Sequence, residues 1–421
     1  MIFSPDKKKR LYCSVEMERK YHEANNSFIE KTESLKVKEV INGIVHPLEL
    51  SETKLVEVNQ YGGVTDGNLN FIEESLTKRT DPLDNSYVVH DWYVGANRNR
   101  DFEGIEYIDD NVVFIGALSK HYGHFILEGL ARLWFYLEEK NLRFKCVYIS
   151  EIGPDLFIDI FKLLKIDPQK MQRIEVPTRF RKVLIPESSI QLSDYYHQKY
   201  YDTVSRIRDS VPAKNFDKVF FSKEGISNSR AVGEIIIQNV FERNGYLVFH
   251  PEKLSMYDKI AILRGAKVFV ASSGTNVHNS VFLEDNCECV CLNRSAHFYS
   301  VQFMIDILKK LNNVYIDAYI FPNRKRNLGP IGPFLFGPTK HLFEFFKINN
   351  FKYNKFILYA NFPLLLITYF SQHLNIIVYS VSSNMLYKSK SSNYLLLRIA
   401  AKVLLHLYRS FKTLLMRIRL H

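Results

Sequence analysis

The sequence predicts an α/β protein, and residues 218–293 indicate this most clearly. Short, continuous apolar runs alternate there with stretches whose apolar residues recur at helical spacing. Turn-forming residues separate the two kinds of segment. This alternation is typical of parallel βαβ units whose sheet is covered on both faces by helices. The predicted strands are Lys218–Ser222, Tyr246–Phe249, Lys267–Ala271 and Cys287–Leu292, and the helices between them are Ser229–Arg243, Ser255–Leu263 and Asn276–Phe282.

Polar residues stand where three of these predicted strands end. Ser222 and Lys223 lie at the end of the first strand, Glu252 follows the second, and residues 272–276 form a Ser/Gly turn after the third. Parallel sheets bind their ligands beyond the carboxyl ends of the strands. The three positions therefore predict one binding site.

The turn at residues 272–276 opens a predicted helix, and its residue types suit an anion. Free backbone N–H groups and the positive end of a helix dipole attract phosphate. Arg230 can hold a diphosphate through two parallel hydrogen bonds, and Glu252 is a candidate acceptor for ribose hydroxyls. On spacing alone a second interpretation stands beside this one, in which the turn only caps a helix and Arg230 is solvated. The candidate nucleotide-binding residues are Ser222, Lys223, Arg230, Glu252, Ser273, Gly274, Thr275, Asn276, His278 and Asn279.

A second cluster of chemically active residues lies upstream. The apolar run Val112–Leu118 predicts a strand, and His124–Glu139 has the apolar spacing of a helix. His124 and Glu128 stand four residues apart on one face of that helix, where a carboxylate beside an imidazole is a candidate general base. Spacing alone favours a purely structural pair. A zinc site that adds His121 is the weakest interpretation, because the segment lacks the HExxH arrangement.

Both clusters lie in segments that resemble glycosyltransferase family 61. Upstream, GHFILEGLARLW within Gly116–Trp134 is similar to one family segment. Downstream, residues 222–234 carry the pattern SK-x6-R-x3-E, and HPEKLSMYDKIAILRGAKVFVASSGTNVHNSVFL follows at residue 250, as in a second family segment. The resemblance covers about residues 110–295. The chain departs from the family pattern at Lys223, where Arg is usual, at Gly233, where Asn is usual, and at Ser273, where His is common.

The resemblance implies the glycosyltransferase B architecture, in which two Rossmann-like domains face each other across a cleft. It also implies an inverting transfer, in which an acceptor hydroxyl attacks the anomeric carbon of a nucleotide-sugar and nucleoside diphosphate leaves. We expect Glu128 to be the base, with His124 as the alternative base or as its orienting partner. Lys223, Arg230 and the helix start at residues 275–276 are expected to stabilise the leaving group. No Asp-x-Asp motif precedes a predicted nucleotide-binding strand, so we expect a metal-independent enzyme without a cofactor.

The implied role is transfer from a nucleotide-sugar, expected to be a UDP-sugar, to a saccharide or lipid-linked acceptor in the synthesis of a bacterial capsule or surface polysaccharide. Two alternatives belong to other classes of protein. One is a non-catalytic scaffold that is recruited to the membrane, which the departures at Lys223, Gly233 and Ser273 keep open. The other is a nucleotide-sugar epimerase of similar fold, which would need no acceptor.

The domain organisation follows from these patterns. Residues 1–212 are predicted to form an acceptor-binding α/β domain, and residues 213–330 a Rossmann-like domain that binds the nucleotide-sugar. The short polar segment 211–215, with Pro212 after a predicted helix, is the expected hinge. Further predicted elements are the strands Lys145–Ser150, Arg173–Val176, Lys182–Ile185 and Val314–Ile320, and the helices Asp155–Leu164, Asp194–Arg208 and Phe298–Leu311.

The positive charge of the chain is confined to its last part. The formal net charge is +11, yet no Asp or Glu follows Glu344, and the seven Lys and four Arg beyond that residue account for all of it. Residues 331–421 are therefore expected to form an apolar and basic tail. Within it, residues 395–420 place Arg and Lys on one helical face and Leu, Ile and Phe on another, as in helices that lie on anionic membranes. A dimerising or core-packing helix is the alternative.

The remaining composition limits the partners and the compartment. Residues 356–387 carry no charge, but Pro363 and the polar residues 371–373 interrupt them, so an interfacial segment is favoured over a transmembrane helix. Nucleic acid is not an expected partner, because the body of the chain is neutral and lacks a recognised binding module. Cys287, Cys289 and Cys291 alternate along one predicted strand as packed thiols. The start of the chain lacks the apolar run of a signal peptide, and we expect a cytoplasmic enzyme attached to the inner face of the membrane.

Overall fold

The structure is a computed structural model, and it describes most of the chain before residue 374. The described residues are 9–24, 28–50, 60–80, 87–89, 104–138, 143–150, 155–224, 230–321 and 332–373. The predicted amphipathic helix at residues 395–420 lies outside them.

A six-stranded, fully parallel sheet organises the second half of the described chain. Its order is Leu11–Tyr12, Asn312–Asp317, Glu288–Asn293, Ala266–Ser272, Phe216–Phe221 and Leu247–Phe249. The strand Phe216–Phe221 lies between Leu247–Phe249 and Ala266–Ser272, the next two strands of this sheet along the chain. The strand order therefore reverses between Phe216–Phe221 and Ala266–Ser272. Ligands bind at such a switch point, beyond the carboxyl ends of the strands.

Helices cover both faces of this sheet because its side chains alternate between them. Phe220 and Val270 face one hydrophobic cluster, while Phe221 and Ala271 face the other. The helices Glu234–Arg243, Lys340–Ile348 and Lys355–Ala360 contribute to the first cluster, and Met256–Gly265 and Ser300–Leu308 to the second. Cys289 and Cys291 are buried free thiols in the second cluster.

A seven-stranded mixed sheet occupies the first half of the chain. Its order is Met171–Arg173, Lys145–Ser150, Glu106–Leu118, Thr178–Pro186, Ile44–Leu50 and Gln60–Thr65, with Val37–Ile41 also paired to Thr178–Pro186. The first four of these strands pair in parallel, and the others pair antiparallel. One continuous hydrophobic cluster joins Val113 of this sheet to Val219 and Phe269 of the other.

Shorter elements complete the described fold. The remaining strands are Ile29–Lys31, Lys78–Thr80, Tyr87–Val89, Ile190–Gln191, Tyr195–His197, Ala231–Val232 and Phe334–Leu335. The remaining α-helices are Val15–Ala24, Tyr122–His124, Leu133–Tyr136, Asp155–Leu163 and Gln198–Asp209, and the 3₁₀ turns are Glu73–Ser75, Pro168–Lys170, Pro251–Lys253 and Val277–Phe282.

The predicted helix His124–Glu139 is broken in the structure. A short α-helical turn, Tyr122–His124, runs into a π-helical turn, Phe125–Gly129, and a second short helix follows at Leu133–Tyr136. Apolar spacing does not distinguish a π turn from an α-helix over five residues, because both bury a similar face. π turns recur at functional sites.

The predicted helix Asp194–Arg208 begins later than expected. Tyr195–His197 is a strand that pairs with Ile190–Gln191 and Ile29–Lys31, in keeping with the β preference of tyrosine. The helix Gln198–Asp209 starts only after His197, whose Nδ1 accepts the backbone N–H of Lys199 at 3.0 Å. Local capping therefore sets this boundary.

The packed part of the chain continues beyond residue 330. Leu342, Phe345 and Phe346 of the helix Lys340–Ile348 are buried on the six-stranded sheet, and residues 362–373 are again helical. Among the described residues, none of the helices is both long and apolar enough to cross a membrane.

These elements make the protein a mixed α/β structure, as the sequence predicts. The strand Leu11–Tyr12 extends the six-stranded sheet next to Asn312–Asp317, so the start of the chain and residues 216–317 build one sheet. The glycosyltransferase B architecture and the boundary near residue 212 stay predictions.

Candidate active site

The switch point of the six-stranded sheet brings together the carboxyl ends of two predicted strands, Lys218–Ser222 and Lys267–Ala271. The side-chain Nδ2 of Asn276 donates to the backbone carbonyl of Phe221 at 2.8 Å, which ties the Ser273–Asn276 turn to the end of the neighbouring strand. The hydroxyl of Ser222 is buried and accepts the backbone N–H of Glu224 at 3.0 Å. The side chains of Ser222 and Asn276 therefore bond to the backbone and hold the ends of the two strands in place.

Lys223 brings a partly buried positive charge to this point. Its backbone N–H donates to Oε2 of Glu234 at 2.8 Å, and Glu234 is fully buried. Burial and the nearby positive charge of Arg294 lower the pKa of Lys223 to about 8, although the charge of Glu234 opposes the shift. Burial likewise raises the pKa of Glu234. The site thus holds a lysine whose charge is costly in the absence of a further anion.

Arg294 lies immediately after the strand Glu288–Asn293 and underlies the Ser273–Asn276 turn. Its backbone N–H donates to Oγ of Ser273 at 3.2 Å. Its guanidinium lies 2.8–3.0 Å from where a Cβ on Gly274 would be, and Gly274 has a φ of +97°. Only glycine meets both conditions. Arg294 Nε also donates to the hydroxyl of Tyr299 at 2.8 Å, and the guanidinium lies 4.2 Å above the ring centroid of Phe334. These contacts hold the guanidinium in a fixed position beside the turn.

Arg230 lies at the margin of the same region. Its backbone carbonyl accepts the N–H of Phe334 at 2.7 Å, and its side chain is exposed. The strand Ala231–Val232, which follows Arg230, pairs with Phe334–Leu335. The ring of Phe334 also packs under the guanidinium of Arg294, so Phe334 links Arg230 to Arg294.

His124 and Glu128 form a close pair where the α turn passes into the π turn. The Nδ1 of His124 donates to Oε2 of Glu128 at 2.7 Å. The His124 side chain is 30% exposed and the Glu128 side chain 11% exposed, so the imidazole lies nearer to solvent. A carboxylate on Nδ1 leaves the basic lone pair of a neutral imidazole on Nε2.

The segment that carries this pair contacts the Ser273–Asn276 turn and the 3₁₀ turn after it. The hydroxyl of Tyr122 donates to Oδ1 of Asn279 at 2.7 Å. A Cβ placed on Gly123 would lie 3.1 Å from Cγ2 of Thr275. Nδ2 of Asn279 in turn donates to the carbonyl of Asn276 at 2.8 Å. The two segments, which are some 150 residues apart in sequence, therefore form one surface.

Glu252 reaches the same surface through an intermediate residue. Lys259 lies 4.7 Å from the ring centroid of Tyr122. Burial lowers the pKa of Lys259, and the nearby charge of Glu252 opposes the shift. Glu252 lies on the turn Pro251–Lys253, beyond the end of the strand Leu247–Phe249.

His278 is almost completely buried, and its Nδ1 lies 3.0 Å from Oε1 of Gln302. Burial, together with the positive charges of Lys223 and Arg294, lowers its pKa to about 4, so the ring is neutral at neutral pH. The charge of His124 also lowers the pKa of His278. His278 is thus close to both the lysine–arginine cluster and His124. In the described part of the chain, no group of three or more His, Cys, Asp or Glu residues is placed to hold a metal ion.

Sequence reasoning missed three residues of this surface: Arg294, Lys259 and Gln302. Arg294 was detectable, because it stands at the carboxyl end of a predicted strand, as Lys223 does. Lys259 and Gln302 carry no such signal, since each lies within an ordinary amphipathic helix and reaches the site through tertiary packing.

Comparison with known proteins identifies a family for part of the chain. Residues 122–290 match the family model described as Glycosyltransferase 61. That range includes both the His124–Glu128 pair and the switch-point residues from Ser222 to Asn279. A search of curated proteins gave no match. Residues 122–290 therefore form a glycosyltransferase family 61 domain, and the protein is a glycosyltransferase.

Proposed function

We propose that this glycosyltransferase transfers a sugar from a UDP-sugar, with inversion, to a saccharide or lipid-linked acceptor in the synthesis of a bacterial capsule or surface polysaccharide. The observation that carries the proposal is the meeting of two clusters on one surface. A lysine–arginine cluster at the switch point suits a departing diphosphate, and a histidine–carboxylate pair on the adjoining segment suits the activation of a hydroxyl.

The donor diphosphate would lie between Lys223, Arg294 and the Ser273–Asn276 turn. Arg294 is held in position by Tyr299 and Phe334, and its planar guanidinium can bind two phosphate oxygens at once. The charge of Lys223 would gain from an anion, since burial and Arg294 both disfavour it. Two cations beside a small-residue turn would offset the diphosphate charge, which supports the expectation of metal-independent transfer.

We assign proton acceptance to His124 rather than to Glu128. His124 is the more exposed of the two, and Glu128 bonds its Nδ1. The acceptor hydroxyl would give its proton to Nε2 of His124 while its oxygen forms a bond to the anomeric carbon. The bond from that carbon to the diphosphate oxygen would break, and the electron pair would leave with UDP. Glu128 would orient the imidazole and stabilise the imidazolium.

Exposed apolar side chains near the end of the described chain support attachment to a membrane. We call Phe356, Leu364, Ile367 and Phe370 the apolar face; these residues are 79%, 66%, 65% and 57% exposed. They stand between the packed helix Lys340–Ile348 and the basic sequence that follows. Apolar side chains next to lysines and arginines favour the surface of an anionic bilayer, which is where a lipid-linked acceptor would be found.

Two measurements on the full-length protein test the proposal. In the first, UDP is titrated calorimetrically without added metal into the wild type and the variants Lys223→Met and Arg294→Met. We expect saturable binding that each variant weakens about tenfold or more, as for a charged hydrogen bond. Lys267→Met is the matched control, because Lys267 pairs with Asp217 at the opposite end of the sheet. Unchanged affinity in all three variants would reject the diphosphate site.

The second measurement follows UDP release from a panel of UDP-sugars with oligosaccharide and polyprenyl-phosphate-linked acceptors. The anomeric configuration of the product is then read by NMR. Inversion supports direct displacement, whereas retention of configuration would reject it. An epimerised donor without transfer would indicate the epimerase alternative instead.

A further inference from the structure

A buried chain of hydrogen bonds fixes the tautomer of His278. Oε1 of Gln302 lies 3.0 Å from His278 Nδ1, and Nε2 of Gln302 lies 2.7 Å from Oδ1 of Asp306. Burial raises the pKa of Asp306 to about 7. Above that pH its carboxylate oxygen only accepts hydrogen bonds, so the amide NH₂ of Gln302 faces Asp306 and the amide oxygen faces His278. The proton of the neutral imidazole is therefore on Nδ1.

Further buried hydrogen bonds hold Gln302 and Asp306 in place. Gln302 Nε2 also contacts Oγ of Ser280 at 2.9 Å, and the hydroxyl of Tyr315 donates to the other oxygen of Asp306. Gln302 and Asp306 are both fully buried. Turning the amide of Gln302 around would place its oxygen against the carboxylate of Asp306, which would cost the buried hydrogen bond from Nε2 to Oδ1.

Nε2 of His278 consequently carries a lone pair without a proton. Among the described residues, the hydrogen bond of the His278 ring is the one at Nδ1. Burial lowers the pKa of the ring to about 4, and the charges of Lys223, Arg294 and His124 act in the same direction. Above a pH of about 7 this atom therefore accepts a hydrogen bond, and the residue keeps 8% of its surface exposed.

The position of this acceptor matches that of a donor sugar. The ring of a bound nucleotide-sugar must lie between the diphosphate site and the base that activates the acceptor hydroxyl. His278 follows the Ser273–Asn276 turn and directly precedes Asn279, whose Oδ1 accepts the hydroxyl of Tyr122. The charges of Lys223, Arg294 and His124 all act on the pKa of His278, so the ring is within electrostatic reach of both clusters. A sugar ring offers hydroxyl donors, whereas the diphosphate offers none.

We propose that Nε2 of His278 accepts a hydrogen bond from a hydroxyl of the donor sugar, and that His278 thereby selects donors that carry this hydroxyl. The inference rests on the proposed function, since it requires a nucleotide-sugar at the switch point. A site that hydrogen-bonds a substrate hydroxyl discriminates strongly against an analogue that lacks it.

Nitrogen NMR of ¹⁵N-histidine-labelled full-length protein tests the tautomer and the contact together. The His278 signals are assigned by their loss in His278→Asn. We expect Nδ1 to be protonated and Nε2 bare in the free protein, with the Nε2 signal moving on saturation with a transferable UDP-sugar but not with UDP. Protonation on Nε2, or the same response to UDP as to the UDP-sugar, would overturn the inference while leaving the diphosphate site intact.

Two matched variants test the consequence for donor selection. The amide oxygen of His278→Gln can reach the place of Nε2, whereas His278→Asn replaces only the Nδ1 side of the ring. We expect UDP affinity within about twofold of the wild type in both, and kcat/KM for the UDP-sugar about tenfold or more lower in His278→Asn, with recovery in His278→Gln. For the monodeoxy donor that lacks the contacted hydroxyl, wild type and His278→Asn should be equal. A loss of UDP affinity in His278→Asn, or equal losses with every monodeoxy donor, would overturn the proposal.

Discussion

At the residue scale, the pair His124–Glu128 carries the first prediction. Glu128→Gln keeps the size of the partner of Nδ1 but removes the charge that stabilises an imidazolium. We expect kcat to fall about 10²- to 10⁴-fold in both Glu128→Gln and His124→Gln, the range for loss of general-base catalysis. UDP affinity should not change, because neither side chain is assigned to the diphosphate. UDP release under saturating donor measures kcat, and calorimetry measures the affinity.

The double variant separates a functional pair from two independent groups. Residues that act as one unit show non-additive effects. Glu128→Gln combined with His124→Gln should therefore be no slower than His124→Gln alone. If the two losses multiply instead, then Glu128 is not acting through His124, and the original assignment of Glu128 as the base would regain support.

Lys223 carries a prediction about pH. Its pKa of about 8 lies below the ordinary lysine value, so the side chain loses its positive charge as the pH rises through about 8. Affinity for UDP should therefore decrease as the pH rises from about 7.5 to 9.5, and binding should take up protons in that interval. Lys223→Arg keeps its charge over this range, so its UDP affinity should stay nearly constant. Calorimetric titrations in buffers of different ionisation enthalpy measure both quantities. Parallel pH profiles for the two proteins would show that another group controls binding.

Single residues also show how far the sequence can predict this site. Ser222, Lys223 and the Ser273–Asn276 turn were predictable, because the carboxyl ends of parallel strands meet at one edge. Arg294 belonged to the same pattern and was overlooked. Gln302 was not predictable, since its role depends on a helix packing against the turn that carries His278. Sequence spacing does not contain that contact.

At the scale of elements, the break in the predicted helix after His124 has a structural reason. The π turn at residues 125–129 buries Phe125, Ile126, Leu127 and Gly129. This apolar pattern resembles that of an α-helix. The periodicity therefore predicted correctly that these residues are buried, but it predicted an α-helical backbone where the structure has a π turn. The departure at Gly233 likewise has a conformational reason: its φ is +87°, in the left-handed region that glycine and asparagine tolerate best.

Contact between the two family segments carries the next prediction. A Cβ on Gly123 would lie 3.1 Å from Cγ2 and 3.2 Å from Oγ1 of Thr275, closer than side chains normally pack. Gly123→Ala should therefore push the His124 segment away from the switch point and lower kcat/KM about tenfold or more, as small misplacements in active sites do. Thr275→Ala removes both contacting atoms, so the double variant should recover most of the loss. Initial rates of UDP release measure the effect.

Gly67→Ala provides the matched control. A Cβ there would lie no closer than 3.5 Å to any atom, so activity and thermal stability should stay at wild-type values. If Gly123→Ala is as active as Gly67→Ala, then the close approach of the two segments does not position the base.

At the scale of the whole molecule, the order of the six-stranded sheet was largely implicit in the sequence. Alternating strands and helices predict a parallel sheet, and a doubly wound order puts the site at the reversal. The outermost strand was not predictable, because Leu11–Tyr12 has only two residues and pairs with a strand about 300 residues away. Such short strands exist only because the partner strand offers free backbone groups.

The apolar face and the basic tail together carry the last prediction. Full-length protein should sediment with vesicles that contain phosphatidylglycerol and less with phosphatidylcholine alone, and binding to the phosphatidylglycerol vesicles should fall as salt concentration rises. Leu364→Ser combined with Ile367→Ser should weaken binding about tenfold or more, since each apolar side chain that inserts contributes on the order of 1 kcal/mol or more. Val15→Ser is the control, because Val15 is exposed on a helix at the other end of the chain.

Because UDP binding involves neither surface, all variants should titrate UDP alike. If the double variant binds vesicles as the wild type does, then the membrane does not contact the apolar face. Salt-dependent binding that persists in the double variant would then mean that the basic tail attaches the enzyme by itself.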